Sequence, residues 1–267
     1  MSVERQAGTR WTRRARPLLG SLVEVGVASN SGEESVAIDA AFVRVREVQD
    51  ELSRFEPDSD VARFHALRRG DRMAMRPAMR DVMRLALALR DASDGAFDIS
   101  VGTSPWGWCC AVDGDVLHKL DDDVRLDLGG IGKGFAVDRA VQALIEHGCA
   151  AGWVNAGGDL RSFGDVEVPI RLRDERSSGA RPFATLHDGA FATSDFGLAT
   201  RSRLALPARS AVQAHLLADE RSRARPVHAS VAAPLCAWAD ALTKIVASTG
   251  DATHPTLDRY DAVAWIH

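Results

Sequence analysis

The sequence predicts a single-domain mixed α/β (α+β) fold in which mixed or antiparallel sheets pack against helices. The chain has 267 residues, 46% apolar and 26% charged, as expected for a globular protein with a sizeable core. Strand-like and helix-like segments alternate along it, but the strand-like segments cluster too densely for regular β-α-β winding. No internal repeat or low-complexity linker divides the chain. One domain is therefore expected over residues 18–267.

The order of elements follows from apolar spacing and turn residues. A first strand is expected near residues 18–27, before the turn Ser29-Asn30-Ser31-Gly32. Pro77 lies near the start of a helix, where its missing N–H costs little, and that helix ends at Ser93-Asp94-Gly95. The other predicted elements are a helix over 33–53, a helix over 132–147, a strand-rich stretch over 153–212, a helix over 235–248 and a closing strand over 262–266.

The overall charge excludes an electrostatic nucleic-acid binder. The chain carries 33 Lys+Arg and 37 Asp+Glu, giving a net charge of −4. Five arginines between Arg5 and Arg16 are a local exception. Because chain ends are commonly solvated and poorly ordered, residues 1–17 are expected to form a flexible Arg-rich N-terminus.

The expected location is the cytoplasm. Arg13-Arg14 precedes a short apolar run, as in a twin-arginine signal, but Glu24 interrupts that run and no small-residue cleavage site follows. No segment is long and apolar enough to suggest a membrane span. The four cysteines contain no CxxC pair, which is typical of a reduced intracellular protein without a zinc site.

The most informative segment is LDLGGIGKGFAVD, residues 126–138, which holds four glycines and Lys133, one of three lysines in the chain. It is expected to end a strand and open a helix, where backbone N–H groups and the helix dipole favour phosphate. A P-loop is excluded, because Asp127 and Gly134 stand where that motif needs Gly and Ser or Thr. The glycine spacing also excludes a dinucleotide fingerprint. A tight turn without a ligand remains an equal alternative.

Three further segments carry polar residues in turns or on one helix face: SDGAFDISVG (93–102), VNAGGDLRSFG (154–164) and WADALTKIV (238–246). In the second, Asn155 and Asp159 flank a double glycine, which is typical of a hairpin. In the third, Asp240, Thr243 and Lys244 share one helical face at i, i+3 and i+4. The simplest structural interpretation of the third segment is an ion pair within the helix.

Six blocks together resemble a known family. In chain order, LLGSLVEV, ELSRFEPDSDVARF, DGAFDISVG, LDLGGIGKGFAVD, NAGGDLRSFG and WADALTKI are similar to the successive motifs of the ApbE family, over about residues 18–246. Members of that family are FAD:protein FMN transferases. The resemblance implies a T-fold-like ApbE architecture and an enzyme that uses Mg²⁺ to cleave the pyrophosphate of FAD. FMN would pass to a Thr or Ser hydroxyl of an acceptor flavoprotein, and AMP would leave.

The resemblance also implies roles for individual residues. Asp240 would be catalytic and bind the metal, together with the backbone carbonyl of Gly132 and the hydroxyl of Thr243. His215 would be the base for the acceptor hydroxyl. The implied FAD contacts are Leu19, Phe55, Ala96, Phe97, Asp98, Gly129, Lys133, Phe135 and Leu216.

Two departures from the family pattern keep alternatives open. Lys244 stands where the family often has Thr, and an ammonium there would repel Mg²⁺ unless it points away or binds phosphate. His215 lacks the Asp-Pro that usually follows the family's histidine. The alternatives are an FAD-binding relative with weak or no transferase activity, and an FAD pyrophosphatase that yields FMN and AMP.

Overall fold

The computed structural model describes residues 10–28, 32–100, 110–174, 179–195 and 228–267. The strands are β1 Trp11–Leu18, β2 Ser21–Ala28, β3 Arg72–Ala74, β4 Cys110–Asp113, β5 Val116–Lys119, β6 Gly152–Ala156, β7 Asp159–Phe163, β8 Val168–Asp174, β9 Gly179–Leu186, β10 Ala190–Asp195, β11 His228–Ala233 and β12 Val263–Ile266. The helices are α1 Glu34–Leu52, α2 Asp60–Ala66, α3 Pro77–Ala92, α4 Gly132–Glu146, α5 Cys236–Thr249 and α6 Thr256–Arg259.

A seven-stranded sheet with the order β1-β2-β6-β7-β10-β11-β12 organises the described part of the chain. Every pairing within it is antiparallel. A three-stranded sheet, β3-β5-β4, and the hairpin β8-β9 are separate from it. The predicted class, helices packed on antiparallel sheets, is confirmed.

The two faces of the main sheet are covered differently. Side chains alternate between faces along a strand, so Val154 of β6 lies in the core under α1, α4 and α5, while its neighbour Trp153 lies in a second core. That second core is closed by β8 of the hairpin through Val168 and Ile170. The helices therefore occupy one face and the hairpin the other.

The arginine-rich segment is part of the sheet. β1 pairs with β2 from Trp11↔Ala28 to Leu18↔Ser21, so the flexible terminus expected over 1–17 does not include residues 11–17. Arg14 and Arg16 lie on the helix side, where both bind Asp39 of α1, at 3.2 and 2.6 Å. The aliphatic and guanidinium parts of arginine allow it to cover a strand edge as well as to face solvent. Residues 1–9 lie outside the described ranges.

Most predicted helices are found within one or two residues of their expected ends. Two short helices, α2 and α6, were not predicted, because seven and four residues are too few to display a periodic apolar stripe. Of the expected strand-rich stretch, residues up to 195 form β6 to β10, and residues 196–227 lie outside the described ranges. Within the described residues, no helix combines the length and apolar character that a bilayer crossing requires.

Helices α4 and α5 pack closely together at Gly134. A Cβ on Gly134 would lie 2.2 Å from the carbonyl oxygen of Cys236, so only glycine permits this approach. Four residues further along α4, the Asp138 carboxylate accepts hydrogen bonds from the backbone N–H groups of Cys236 and Ala237, both at 2.9 Å. It also pairs with Arg161 at 2.8 Å. Asp138 therefore caps the N-terminus of α5 from a neighbouring helix.

We expect Gly134→Ala to lower the free energy of unfolding by about 1–3 kcal/mol, because the added methyl group overpacks the contact between α4 and α5. Gly132→Ala is the matched control, since its Cβ would meet only the Leu128 Cβ at 4.0 Å. The control should change stability by less than about 1 kcal/mol. Urea unfolding of both variants measures the difference, and equal effects would contradict the close-contact interpretation.

Candidate functional site

A cavity of about 470 Å³ opens between α1, the turn joining β1 to β2, and the glycine-rich turn that precedes α4. The segment after α1 contributes its outer rim, and Lys244 reaches it from α5. Five of the residues that the sequence implicated in FAD or metal binding line it: Leu19, Phe55, Gly129, Gly132 and Lys133. Segments more than two hundred residues apart in the chain thus meet at one site.

One side of the cavity is apolar. Leu19, Val48, Leu52 and Leu128 line it. Leu19 has the left-handed backbone angle φ of 55°, and its N–H donates to Gln49 Oε1 of α1 at 2.7 Å. That hydrogen bond fixes the β1–β2 turn over the cavity, in a conformation that non-glycine residues rarely adopt.

The rim carries an exposed aromatic residue. Phe55 is 81% exposed, and the Arg54 guanidinium lies 4.8 Å from its ring centre. Arg54 also pairs with Asp127 of the glycine-rich turn at 3.0 Å. The ring therefore stands at the cavity mouth, held beside a cation that links two of the cavity walls.

The glycine-rich turn forms the opposite wall. Asp127 Oδ1 accepts the Gly129 N–H at 2.7 Å, which closes the turn on itself. A Cβ on Gly130 would lie 3.4 Å from the Lys244 side chain and 3.6 Å from the Phe97 ring. The backbone at Gly130 therefore lies close to both the lysine stem and the aromatic core residue.

Four charged side chains meet at the inner end of the cavity. Lys133 forms a short ion pair with Asp159, the first residue of β7. Lys244 pairs with Asp240 at 2.9 Å, and the Gly134 N–H donates to the other oxygen of Asp240 at 3.2 Å. Both carboxylates are buried. The two positive and two negative charges balance, as buried charges require.

The two buried carboxylates titrate differently. Burial opposes ionisation of Asp240, but the ammonium groups of Lys244 and Lys133 outweigh it and hold the pKa of this carboxyl below its usual range. Burial, with a further contribution from the charge of Asp240, raises the pKa of Asp159 to about 6, although Lys133 and Lys244 oppose the shift. Asp240 is thus the permanent anion of the cluster, and Asp159 is the group that titrates near neutral pH.

The predicted hairpin around the double glycine places Asp159 in the charged cluster. Asn155 Oδ1 accepts the Gly158 N–H at 3.0 Å, and Asn155 Nδ2 donates to Glu24 of β2 at 3.2 Å. These bonds hold the β6–β7 turn against the neighbouring strand. The sequence pattern predicts only a turn position for Asp159, whereas the family resemblance implies a site role for its partner Lys133.

Other implicated residues lie away from the cavity lining. Phe97 and Phe135 are buried in the main core, and Ala96 packs against that core. The Asp98 carboxylate accepts from the backbone N–H and hydroxyl of Ser100, both at 2.8 Å. A contact between these residues and FAD stays a prediction. His215 and Leu216 lie outside the described residues.

Ser194 is a site residue that sequence analysis missed. Its hydroxyl lies 2.6 Å from Lys244 Nζ and 2.7 Å from Thr243 Oγ1, so the end of β10 supplies a wall of the charged cluster. A serine in a strand carries no periodic or motif signal of its own. Helix spacing indicated Asp240 as a partner of Lys244, but nothing in the local sequence indicated Ser194.

The oxygens implicated in Mg²⁺ binding are engaged by an ammonium group. Asp240 and Thr243 both bond to Lys244 Nζ, at 2.9 and 3.0 Å. In the described parts of the chain, no cluster of three or more His, Cys, Asp or Glu side chains has metal-binding geometry. A divalent cation bound to the same oxygens would lie beside the Lys244 ammonium, which would repel it. The residues as arranged therefore do not fit Mg²⁺ bound to Asp240 and Thr243.

Comparison with known proteins agrees with the six sequence blocks. A curated protein named FAD:protein FMN transferase from Vibrio cholerae is 25% identical over 193 residues, covering 61% of this chain and 58% of that protein. One of the same name from Treponema pallidum is 24% identical over 223 residues, covering 66% and 62%. The chain therefore spans about three fifths of the length of these relatives.

Solved structures share the fold. The flavinyl transferase ApbE of Pseudomonas stutzeri superposes with a TM-score of 0.77 at 21% identity, over 96% of this chain and 90% of that one. The Thermotoga maritima ApbE protein gives 0.78 at 20% identity, over 96% and 94%. A sequence profile described as the ApbE family matches residues 19–111 and 106–264. With its fold and nearly its whole length matched, this chain belongs to the ApbE family.

Proposed function

We propose that this protein is an FAD:protein FMN transferase. The observation that carries the proposal is a cavity with an apolar side, an aromatic rim and two lysine ammonium groups at one end, in a chain of the ApbE family. An isoalloxazine ring suits the apolar side and Phe55, and a pyrophosphate suits Lys133 and Lys244. The activity named for the curated relatives in the two sequence comparisons supports the same assignment.

The proposed reaction cleaves the pyrophosphate of FAD into AMP and a phosphodiester that joins FMN to the acceptor. The hydroxyl oxygen of a Thr or Ser on an acceptor flavoprotein attacks the phosphorus of the FMN half of FAD. The bond from that phosphorus to the bridging oxygen breaks, AMP leaves with the bridging oxygen, and the hydroxyl proton is released. His215 is the proposed proton acceptor, on the strength of the family resemblance alone.

The protein's own residues account for much of the charge that this reaction requires. Lys133 and Lys244 line the cavity and bring positive charge to the position proposed for the pyrophosphate. The Gly134 N–H and Lys244 hold the Asp240 carboxylate in place, which in turn orients the Lys244 ammonium. Magnesium dependence, which the family resemblance implies, does not fit this arrangement, so no step is assigned to a metal ion.

The deciding experiment follows FAD with and without a flavoprotein that carries a Thr or Ser acceptor segment. AMP together with flavin covalently bound to the acceptor is the expected outcome. AMP with free FMN would instead identify an FAD pyrophosphatase. Bound but unchanged FAD would identify a binding protein, the alternative suggested by Lys244 and by the sequence around His215. Mass spectrometry of the acceptor and chromatography of the nucleotides separate the three outcomes.

Phe55→Ala should weaken FAD binding by about 1–3 kcal/mol, because an exposed ring at the cavity mouth is available to stack on the flavin. Val263→Ala on β12 is the control, since this exposed residue does not line the cavity. Fluorescence titration with FAD measures both affinities. An unchanged affinity for Phe55→Ala would contradict the placement of the flavin. Phe97 is unsuitable for this test because its ring is fully buried.

FAD affinity should rise roughly three- to tenfold as the pH falls through about 6. Below that pH Asp159 is protonated, so Lys133, Lys244 and Asp240 leave a net positive charge, whereas above it the four charges cancel. The pyrophosphate of FAD stays ionised over this range. Asp159→Asn should bind FAD tightly at neutral pH and lose this pH dependence. A wild-type affinity that does not change between pH 5 and about 7 would contradict the assignment.

A further inference from the structure

The Lys244 ammonium lies in a cage of oxygens. Among the described residues, Nζ is 2.6 Å from Ser194 Oγ, 2.9 Å from Asp240 Oδ1, 3.0 Å from Thr243 Oγ1 and 3.3 Å from the Asp240 carbonyl oxygen. An ammonium group has three donors and no acceptor, and all of its neighbours here are oxygen atoms. These oxygens therefore surround Nζ much as an oxygen shell surrounds a bound cation. A carboxylate, a carbonyl and hydroxyls are also the oxygen types that hard metal ions prefer.

The cage is a built feature of the fold. Asp240 and Thr243 are fully buried, and the Lys244 side chain is only 13% exposed. Thr243 Oγ1 bonds to the Asp240 carbonyl at 2.6 Å, which fixes both oxygens around Nζ. The lysine stem lies close to Gly130, where an added Cβ would be 3.4 Å from it. A surface lysine that meets a carboxylate by chance has neither this burial nor this many partners.

The charged cluster needs no additional cation for charge balance. Asp240 and Asp159 are compensated by Lys244 and Lys133, so the cluster is neutral when both acids are ionised. A divalent ion placed on Asp240 and Thr243 would add two positive charges beside an ammonium that already holds the same oxygens. In a poorly hydrated site, that repulsion is weakly screened.

We propose that the Lys244 ammonium is the resident cation of this site, in place of a divalent metal ion, and that it presents its charge to the phosphates of the bound nucleotide. The identity of the nucleotide as FAD rests on the proposed function, but the replacement of the metal does not. Lysine four residues after the aspartate lets the helix itself carry the cation, because side chains at i and i+4 are neighbours.

Binding of Mn²⁺, followed by the loss of the free-ion signal in electron paramagnetic resonance, tests the replacement directly. Wild-type protein should take up little Mn²⁺, whereas Lys244→Thr should bind it at least about tenfold more tightly, because the repulsion is removed and an oxygen is added. Lys244→Met removes the charge without adding an oxygen and should gain less. Adding Asp240→Asn to Lys244→Thr should abolish the gain. Wild-type protein that binds Mn²⁺ as tightly as Lys244→Thr would overturn the proposal.

A second measurement uses wild-type protein alone and so does not depend on the folding of any variant. FAD affinity, and the rate of AMP release if there is one, should be the same in excess EDTA as in excess Mg²⁺. A tenfold or larger decrease of either quantity in EDTA, which corresponds to about 1.4 kcal/mol, would overturn the proposal. If no AMP or labelled acceptor forms under any condition, the proposed function fails, while the Mn²⁺ comparison still decides which cation occupies the site.

Discussion

The site depends on the close approach of two helices at a single glycine. Gly134 lets the first turn of α4 lie against the backbone of Cys236 at the start of α5. The same contact allows Asp138 of α4 to cap α5 and brings the Gly134 N–H to Asp240. The position of α5 therefore fixes Asp240 and Lys244, while the start of α4 fixes Lys133. The absence of a side chain at Gly134 therefore sets both the packing of α4 against α5 and the geometry of the site.

The two buried carboxylates and the two lysines of the cluster stabilise one another. Each buried carboxylate would be unfavourable alone, because desolvation of an ion costs several kcal/mol that a partner must offset. The cluster offsets it with the ammonium groups of two lysines that line the cavity. The same poorly hydrated environment strengthens the attraction of those ammonium groups for an anionic ligand. The arrangement that makes the cluster tolerable in the fold thus also makes it suited to phosphate.

The main sheet gives the site its second rigid component. β7 and β10 are neighbours in the sheet, so Asp159 at the start of one and Ser194 near the end of the other reach the same region under α5. Antiparallel pairing places the start of one strand beside the end of the next. Two polar residues thirty-five positions apart are consequently held beside the two lysines, Asp159 at Lys133 and Ser194 at Lys244, although their local sequence does not predict these contacts.

The sequence by itself determined the fold class, the long helices, the cavity-lining turn and the family, because apolar periodicity, glycine spacing and the order of motifs are local properties of the chain. It predicted Asp240 and Thr243 as neighbours, since both lie on one helix face. It did not predict that residues 11–17 would be a strand, because that depends on pairing with β2. Helix spacing also offered an ion pair between Asp240 and Lys244. Only the tertiary structure decided that Lys244 turns this way and also reaches Ser194, because a lysine side chain can point either way until a strand from elsewhere in the chain supplies a partner.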